Sequence, residues 1–209
     1  MRHFLQSADW ADFHESLGTK VIRHQSNNGS FIAFFERSHG KVGKFLSRFY
    51  LPYGPFATDK KQLKQLLQEA EALAKEHKAD YIRVEPIGLT LEENTMQALG
   101  YLRRPKPSQP EQTSILVIKG KKADEIVASM NATNRNLWRA NANNPEGLTF
   151  RVSYHEEDTA PLIDMMRTTA ERLGVVFHEG AYTQKMVSVL GPKKACGVVY
   201  ADHGGKELA

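Results

Sequence analysis

A short amphipathic helix opens the chain. Trp10, Phe13 and Leu17 recur at the spacing of one helix face. Ser7 carries the hydroxyl that an N-cap requires, and Gly18 is of the residue type that most often ends a helix. The pattern therefore predicts a helix between these two residues.

Three strand-like segments follow this helix and predict an antiparallel meander. Residues 27–29, Asn-Asn-Gly, are of the types that a tight hairpin turn needs at positive φ. A second turn signal lies at residues 38–40. The three segments cover residues 19–24, 30–36 and 42–51.

The meander ends in a stiff aromatic bend at residues 50–57, Tyr-Leu-Pro-Tyr-Gly-Pro-Phe-Ala. The two prolines fix φ at about −65° and donate no backbone hydrogen bond, while Gly54 permits a sharp turn. Tyr50, Tyr53 and Phe56 add aromatic surface. Such a bend is either a packed loop or the floor of a substrate cleft. Its place between the strands and the longest helix favours the cleft.

A long helix and three shorter elements complete the expected first sheet. Residues 58–78 carry leucines and alanines on one stripe and lysines and glutamates opposite, which predicts an amphipathic helix. A strand, a short helix and another strand then follow at residues 81–86, 91–99 and 113–119. This order predicts an α/β (α+β) fold with an N-acetyltransferase-like (GNAT-type) mixed sheet flanked by helices, an analogy that carries no function by itself.

The remaining residues begin to repeat the same arrangement. Residues 123–130 and 133–143 predict two helices, or one helix broken at Asn131. A strand, two helices and a strand follow at residues 148–154, 156–173, 182–190 and 197–201, before a hairpin-turn signal at residues 202–205.

We therefore predict a first GNAT-like domain at residues 1–145, including a basic helical connector. Residues 146–209 are predicted to be the N-terminal part of a second domain of the same type. The hairpin signal lies so close to Ala209 that the return strand would be short, and a bare sheet edge is unfavourable. We expect the protein to continue beyond this residue.

Composition limits the classes of function. The 209 residues, 41% hydrophobic and 25% charged, can bury a substantial core. A formal net charge of +4 is compatible with a phosphate-bearing partner without requiring one. The single cysteine, Cys196, excludes an intrachain disulfide and is expected to be a buried strand thiol. No apolar run approaches the roughly 18 residues that span a bilayer, and no signal peptide is evident, so we expect a cytoplasmic protein.

A set of short segments occurs along the chain in a fixed order: residues 4–7 with Trp10 and Phe13, residues 51–55, residues 83–86 (Arg-Val-Glu-Pro), residues 112–113, the basic helix at residues 134–140, and residues 169–174 followed by Tyr182. This set resembles the FemA/FemB/FemX-type peptidoglycan aminoacyltransferases (FemABX family). Residues 83–86 resemble the family's Arg-x-Asp/Glu-Pro strand end. The ordered set covers essentially the whole chain, and it is more specific than any one motif.

The resemblance implies an aminoacyltransferase that forms interpeptide bridges in peptidoglycan and so contributes to cell-wall organisation and cell shape. Its partners would be aminoacyl-tRNA, a nucleotide- or lipid-linked precursor and, peripherally, the inner membrane surface. Because the aminoacyl ester is already activated, the reaction needs a positioned amine and a stabilised oxyanion rather than a metal or a covalent nucleophile. We expect no metal and no cofactor besides the tRNA co-substrate. A phenylalanine–lysine segment of the family would lie beyond Ala209, which leaves open whether this chain is active alone.

Glu85 is the candidate catalytic residue. Its carboxylate stands at a strand end, where it would orient or deprotonate the acceptor amine. The alternative is a solvated acid paired with Arg83. Arg83 and Tyr53 of the bend are candidate substrate-binding residues.

Five further residues are candidates for binding the substrate's phosphates or nucleotide. Arg135 and Arg139 lie one helical turn apart and either bind phosphates or are ordinary surface arginines. The resemblance places His178 and Tyr182 where the family has an arginine and a tyrosine that hold the nucleotide-linked substrate. His14 stands where some members have a lysine, or is an ordinary helix-surface histidine. Both histidines replace permanent cations, so we expect the acceptor to be bound differently. It would be a lipid-linked precursor or another amine.

Two other classes of function remain open. A GNAT-type N-acyltransferase using acyl-CoA would need an Arg/Gln-x-x-Gly-x-Gly/Ala loop before a helix, whereas residues 40–43, Gly-Lys-Val-Gly, lead into a strand. A non-catalytic module that binds RNA or the precursor is the third possibility.

Overall fold

The computed structural model describes residues 3–38, 46–88, 94–105, 108–110, 112, 115–142 and 147–207. The chain divides into two compact units, Met1–Glu111 and Gln112–Ala209. The sequence-based division after residue 145 lies further along the chain. The helices that follow Gly120 therefore belong to the second compact unit.

The first unit is built on a four-stranded mixed sheet. Its strands, in spatial order, are β1 (Lys20–Ser26), β2 (Gly29–Ser38), β3 (Leu46–Leu51) and β4 (Tyr81–Val84). The first three strands are antiparallel, and β4 runs parallel to β3. The helical segments are a 3-10 turn (Phe4–Gln6), α1 (Ala8–Ser16), α2 (Lys60–Glu76) and α3 (Thr95–Ala98).

Helices cover both faces of this sheet. The apolar stripe of α2 packs on one face, where alternate strand residues such as Phe31, Phe49 and Leu51 are fully or almost fully buried. Helix α1 packs on the opposite face, where Ala11 contacts Ile32 and Phe34 in a smaller core cluster. The buried residues of the α2 stripe are Leu63, Leu66, Leu67, Ala70 and Ala74.

The second unit contains a three-stranded antiparallel sheet and helices. Its strands, in spatial order, are β5 (Thr149–Ser153), β6 (Val198–His203) and β7 (Lys206–Glu207). Val187, Val198 and Tyr200 form its buried cluster, and the Tyr200 hydroxyl donates to the backbone oxygen of Asp158. The helices are α4 (Ala123–Ala128), α5 (Ala132–Asn141), a 3-10 turn (Glu156–Thr159), α6 (Ala160–Leu173) and α7 (Gly180–Leu190).

The predicted mixed sheet flanked by helices is confirmed. Ser7 caps α1 by accepting a hydrogen bond from the Trp10 N–H. Asn131 caps α5, so the segment forms two helices rather than one. Gly174, with φ of 64°, ends α6 in the left-handed conformation that glycine adopts readily.

The hairpin predicted at residues 27–29 joins β1 to β2, although neither asparagine adopts positive φ and Gly29 alone supplies it, at 137°. One local prediction is wrong: residues 115–119 of the strand predicted over 113–119 lie outside any strand and are exposed. Parts of other predictions lie outside the described residues, namely the turn at 39–40, the start of the third strand at 42–45, the start of the short helix at 91–93, the start of the strand at 113–114, and residue 143 at the end of a helix. No helix in the described ranges is both long and apolar enough to cross a membrane.

Candidate functional site

The bend after β3 is held by its own polar contacts. Tyr53 lies in the left-handed region at φ 45°, which is uncommon for a residue with a side chain, and the Gly54–Pro55 peptide bond is cis. The Tyr53 hydroxyl donates to the Pro110 carbonyl oxygen at 2.8 Å. The Tyr53 ring also packs on the imidazole of His3, with ring centroids 4.0 Å apart.

Gln6 joins this bend to the sheet. Its buried amide nitrogen donates to the carbonyl oxygens of Ile32 and Pro52 at 2.9 and 2.8 Å, and its amide oxygen accepts from the Ile32 N–H at 2.9 Å. A Cβ on Gly54 would lie 2.8 Å from the Gln6 side chain. A glycine is therefore required for this close approach.

Glu85 directly follows β4 and is held against the bend. Its Oε2 accepts a 2.9 Å hydrogen bond from the Tyr50 hydroxyl, and the Tyr53 N–H lies 3.5 Å from the same oxygen. Its Oε1 lies 3.5 Å from a guanidinium nitrogen of Arg83 and is buried without a hydrogen bond among the described residues. One carboxylate oxygen is thus fixed, and the other retains unused acceptor capacity.

Tyr50 organises the groups around Glu85. It is 5% exposed, and strand pairing places it beside Arg83 on β4. Its hydroxyl also accepts from the side-chain amide of Gln109 at 3.1 Å. The guanidinium carbons of Arg48 and Arg83 lie 4.8 and 5.8 Å from the ring centroid. Burial, together with the Glu85 carboxylate, raises the pKa of Tyr50 to about 12, so the hydroxyl keeps its proton at neutral pH.

A cavity of about 300 Å³ lies beside the bend. Tyr53 contributes to its wall, and Glu85 is not among its lining residues. Most of the wall comes from the start of the chain and from the β1–β2 hairpin, including His3, His24, Ser30 and Phe31. The roles of Tyr53, Arg83 and Glu85 in binding or catalysis stay predictions.

His14 lies in an aromatic cluster between α1 and β2. Its ring centroid is 4.5 Å from that of Phe34 and 5.0 Å from that of Trp10. Burial lowers the pKa of His14, and the Glu36 carboxylate opposes that shift. The neutral imidazole is therefore favoured, which makes His14 a poor replacement for a permanently charged lysine.

The two candidate arginines of α5 have different surroundings. Arg135 donates to the backbone oxygens of Met130 and, at 3.4 Å, Ala128, so its guanidinium satisfies carbonyl groups at the C-terminal end of α4. Arg139 is exposed on the last turn of α5. The i, i+4 spacing in the sequence does not show that the Arg135 guanidinium donates to nearby backbone carbonyl oxygens.

His178 and Tyr182 are brought together by the start of α7. Their rings stack with centroids 4.2 Å apart and planes inclined by 15°. His178 is exposed and Tyr182 half-buried, and burial raises the pKa of Tyr182. This pair offers a flat aromatic surface, and its predicted binding role stays a prediction.

Sequence reasoning missed the roles of Tyr50, Gln109 and Gln6. The sequence indicates only aromatic surface at Tyr50, since it does not give the register that sets β3 beside β4. Gln109 lies in a proline-rich connector without periodicity. Gln6 stands within the family-like segment at residues 4–7, which could have indicated its importance. Its hydrogen-bond partners, Ile32 and Pro52, are 26 and 46 residues away and could not be predicted.

Within the described residues, no group of three or more His, Cys, Asp and Glu side chains is arranged to hold a metal ion. Cys196 is half-buried just before β6, and burial raises the pKa of its thiol. The expectation of a reaction without metal or cofactor stays a prediction.

Comparison with known proteins gives a match at the level of structure. Neither the protein-family models nor the curated protein sequences match this chain. The chain is similar to a crystal structure of FemX, with a TM-score of 0.68 and 22% sequence identity, over 95% of this chain and 52% of that one. It thus spans about half the length of the FemX chain. At this identity the likeness establishes the fold, and it confirms that the chain has the FemX-like fold that the ordered motifs predict.

Proposed function

We propose that this chain is part of a peptidoglycan-bridge aminoacyltransferase, which moves an amino acid from aminoacyl-tRNA to an amine on the stem peptide of a precursor. The observation that carries the proposal is the Glu85 carboxylate, fixed at the end of β4 by Tyr50 beside Arg83. It stands in a chain whose fold is similar to that of FemX. The activity, substrates and partners are proposed for the whole protein, of which this chain supplies the Glu85 site.

The proposed reaction needs little covalent chemistry from the protein. The amine nitrogen attacks the ester carbonyl, a C–N bond forms, and the C–O bond to the tRNA ribose breaks. One proton leaves the nitrogen, and the departing ribose oxygen takes up one proton. Glu85 would accept the proton or a hydrogen bond from the attacking amine, a role that positioned carboxylates commonly fill.

Tyr50 supports this role by orienting Glu85. A protonated phenol donates to Oε2, and Gln109 in turn donates to the phenol oxygen. The Oε1 atom, which has no hydrogen bond among the described residues, is the oxygen that would receive the amine. Because Oε1 is buried, we expect substrate binding to shift the side chains that cover it.

The remaining proposed partners follow from charge and exposure. The net charge of +4 is compatible with phosphate-bearing substrates, and Arg139 is the exposed member of the α5 pair. His178 with Tyr182 offers a stacking surface, and Tyr53 a wall of the cavity. We place the reaction in the cytoplasm, where charged tRNA is available, at or near the inner membrane surface when the acceptor is lipid-linked.

A transfer assay tests the proposal. The chain, and in parallel the product of the intact reading frame, would be given tRNA charged with labelled amino acid and either a nucleotide-linked or a lipid-linked muropeptide. We expect label on the acceptor amine. Glu85→Gln should reduce the rate by roughly 100-fold or more. Glu76→Gln, at an exposed position at the end of α2, is the matched control and should leave the rate unchanged.

Two results would contradict the proposal. Transfer from acetyl-CoA to the same amine, without tRNA, would indicate an acyl-CoA-dependent enzyme. Binding of the muropeptide or tRNA without transfer by the intact protein would indicate a non-catalytic binding module.

A further inference from the structure

We propose that residues 108–110, Ser-Gln-Pro, form a strap that docks on the bend through two tyrosine hydroxyls, and that this docking holds the Glu85 carboxylate in the orientation required for reaction. The strap lies in the first compact unit, which ends at Glu111. Docking is a property of this chain and can be measured without transfer. Its consequence for the reaction rests on the proposed function, which gives Glu85 the reactive role.

The strap and the Glu85 carboxylate are connected through the same two tyrosines of the bend. The side-chain amide of Gln109 donates to the Tyr50 hydroxyl oxygen at 3.1 Å, and the Tyr53 hydroxyl donates to the Pro110 carbonyl oxygen at 2.8 Å. Tyr50 in turn donates to Glu85 Oε2 at 2.9 Å, and the Tyr53 N–H lies 3.5 Å from the same oxygen. A change in the strap therefore reaches the carboxylate through one intervening residue.

The direction of these hydrogen bonds explains how the strap acts on Glu85. A phenol has one proton to donate, and the amide nitrogen of Gln109 can only donate. With Gln109 in place, the phenol oxygen accepts from the strap and its proton points to Glu85 Oε2. When the strap is released, the Tyr50 hydroxyl loses this donor and becomes free to turn toward water. Burial raises the pKa of Tyr50 to about 12, so the proton is present throughout the neutral range.

The surroundings of the strap suit reversible docking. Residues 108–110 lie outside any helix or strand, and Ser108 and Pro110 are exposed while Gln109 is half-buried. Pro110 has no backbone N–H and cannot donate to a strand ladder. The hydrogen bond between Tyr53 and Pro110 is at the surface. Segments held by solvent-exposed hydrogen bonds open at low cost, so loss of either tyrosine contact should release the strap.

The bend presents Tyr53 to the strap in an uncommon conformation. Its φ of 45° is in the left-handed region, which a residue with a side chain adopts only where surrounding contacts hold it. Two such contacts are the His3 ring, with centroids 4.0 Å apart, and the Pro110 carbonyl oxygen. The Tyr53 side chain is thus directed to the strap, while its N–H is directed to Glu85.

Carbon NMR of the 209-residue chain, with the carboxyl carbon of its glutamates labelled, tests the docking. Glu85→Gln assigns the Glu85 resonance. We expect Gln109→Leu to move this resonance, although the Gln109 side chain bonds Tyr50 and not Glu85. Tyr53→Phe removes only the hydroxyl that holds Pro110, and should move the resonance in the same direction.

Two variants of the first unit are matched controls. Tyr101→Phe removes a hydroxyl that donates to Glu71 at 2.7 Å, and Gln68→Leu replaces an exposed glutamine on α2. Both should leave the Glu85 resonance at its parent position. Melting curves establish that each variant is folded. The inference is overturned if Gln109→Leu and Tyr53→Phe, once folded, also leave the Glu85 resonance unmoved.

Transfer by the product of the intact reading frame tests the consequence for the reaction. Gln109→Leu should lower kcat roughly tenfold and change KM by less than about twofold, because it disturbs the position of a reacting group and not substrate affinity. Gln109→Glu keeps the shape but replaces the donor by an acceptor, and should lower kcat at least as far. An unchanged kcat in both variants of an active parent would overturn the inference. If the parent transfers nothing, the proposed function fails, whereas the NMR experiment still decides whether the strap holds Glu85.

Discussion

The sheets of the two units differ in how completely their faces are covered. In the first unit, Phe31 and Phe49 on one face and Phe34 on the other are at most 2% exposed. In the second unit, Phe150, Val152 and Val199 share one sheet face and are 69%, 56% and 62% exposed. The first sheet therefore has a core on both sides, whereas the second leaves an apolar face open within its own unit.

The candidate site residues of the two units also differ in how exposed their side chains are. Glu85 and Arg83 are 18% and 11% exposed at the side chain and are held among fixed neighbours. Arg139 and His178 of the second unit are exposed. The first unit can therefore position a reactive group by itself, whereas in the second unit Arg139 and His178 are exposed and only Arg135 and Tyr182 are half-buried.

The largest expected contrast is between two leucines. Leu63 on α2 is fully buried, and Leu173 at the end of α6 is 60% exposed. Leu63→Ala should lower the free energy of unfolding of the first unit by about 2–5 kcal/mol, because it loses burial and leaves a cavity. Leu173→Ala should change stability by less than about 0.5 kcal/mol.

Urea unfolding can follow each unit separately. Trp10 lies in the first unit and Trp138 in the second, and the chain has two tryptophans. Fluorescence in a Trp138→Phe background therefore reports the first unit alone. A loss below about 1 kcal/mol for Leu63→Ala would contradict the contrast between the two cores.

The second contrast is between two glutamines. Gln6→Leu leaves the backbone groups of Ile32 and Pro52 without their side-chain partner in a buried site, and should cost about 2–3 kcal/mol. Gln184→Leu, at an exposed position on α7, should be almost neutral. Urea unfolding in the Trp138→Phe background measures Gln6→Leu, and the same experiment in a Trp10→Phe background, where Trp138 reports the second unit, measures Gln184→Leu. Equal effects would show that Gln6 does not hold the bend.

Sequence alone predicted the elements that depend on local signals. The Ser7 cap, the stripe of α2, the Gly174 helix end and the position of Glu85 after β4 follow from spacing, residue type and one proline. These signals act within a few residues, so they can be recognised without knowledge of the tertiary structure.

The contacts that depend on register could not be predicted in this way. Tyr50 reaches Glu85 because β3 and β4 pair in parallel with Tyr50 opposite Arg83. This register is determined by long-range packing, not by the local sequence. Residues 115–118, Ile-Leu-Val-Ile, have the composition of a strand, yet they form none. A strand needs a partner as well as propensity.

A smaller contrast separates the two arginines of α5. Arg135→Ala removes the donor to the carbonyl groups at the end of α4 and should cost about 1 kcal/mol. Arg139→Ala should have almost no effect on stability, because its side chain is exposed. Trp138 fluorescence in a Trp10→Phe background would measure both. An equal cost for the two would contradict a local role for Arg135.

The smallest expected effect is a pH dependence of stability that comes from His14 in the first unit. Burial lowers the pKa of His14 in the folded chain below the ordinary value of 6.5. Between that folded pKa and about 6.5, the unfolded chain binds more protons, so stability falls as the pH is lowered through this window. The stabilisation is fully present above about pH 6.5 and lost below the folded pKa.

His14→Phe retains a ring against Phe34 and Trp10 but removes the titration, so the slope of stability between pH 7.5 and 5 should become shallower. His3, whose pKa burial also lowers, should supply part of the remaining slope. An unchanged slope in His14→Phe would contradict a buried imidazole that favours the neutral form.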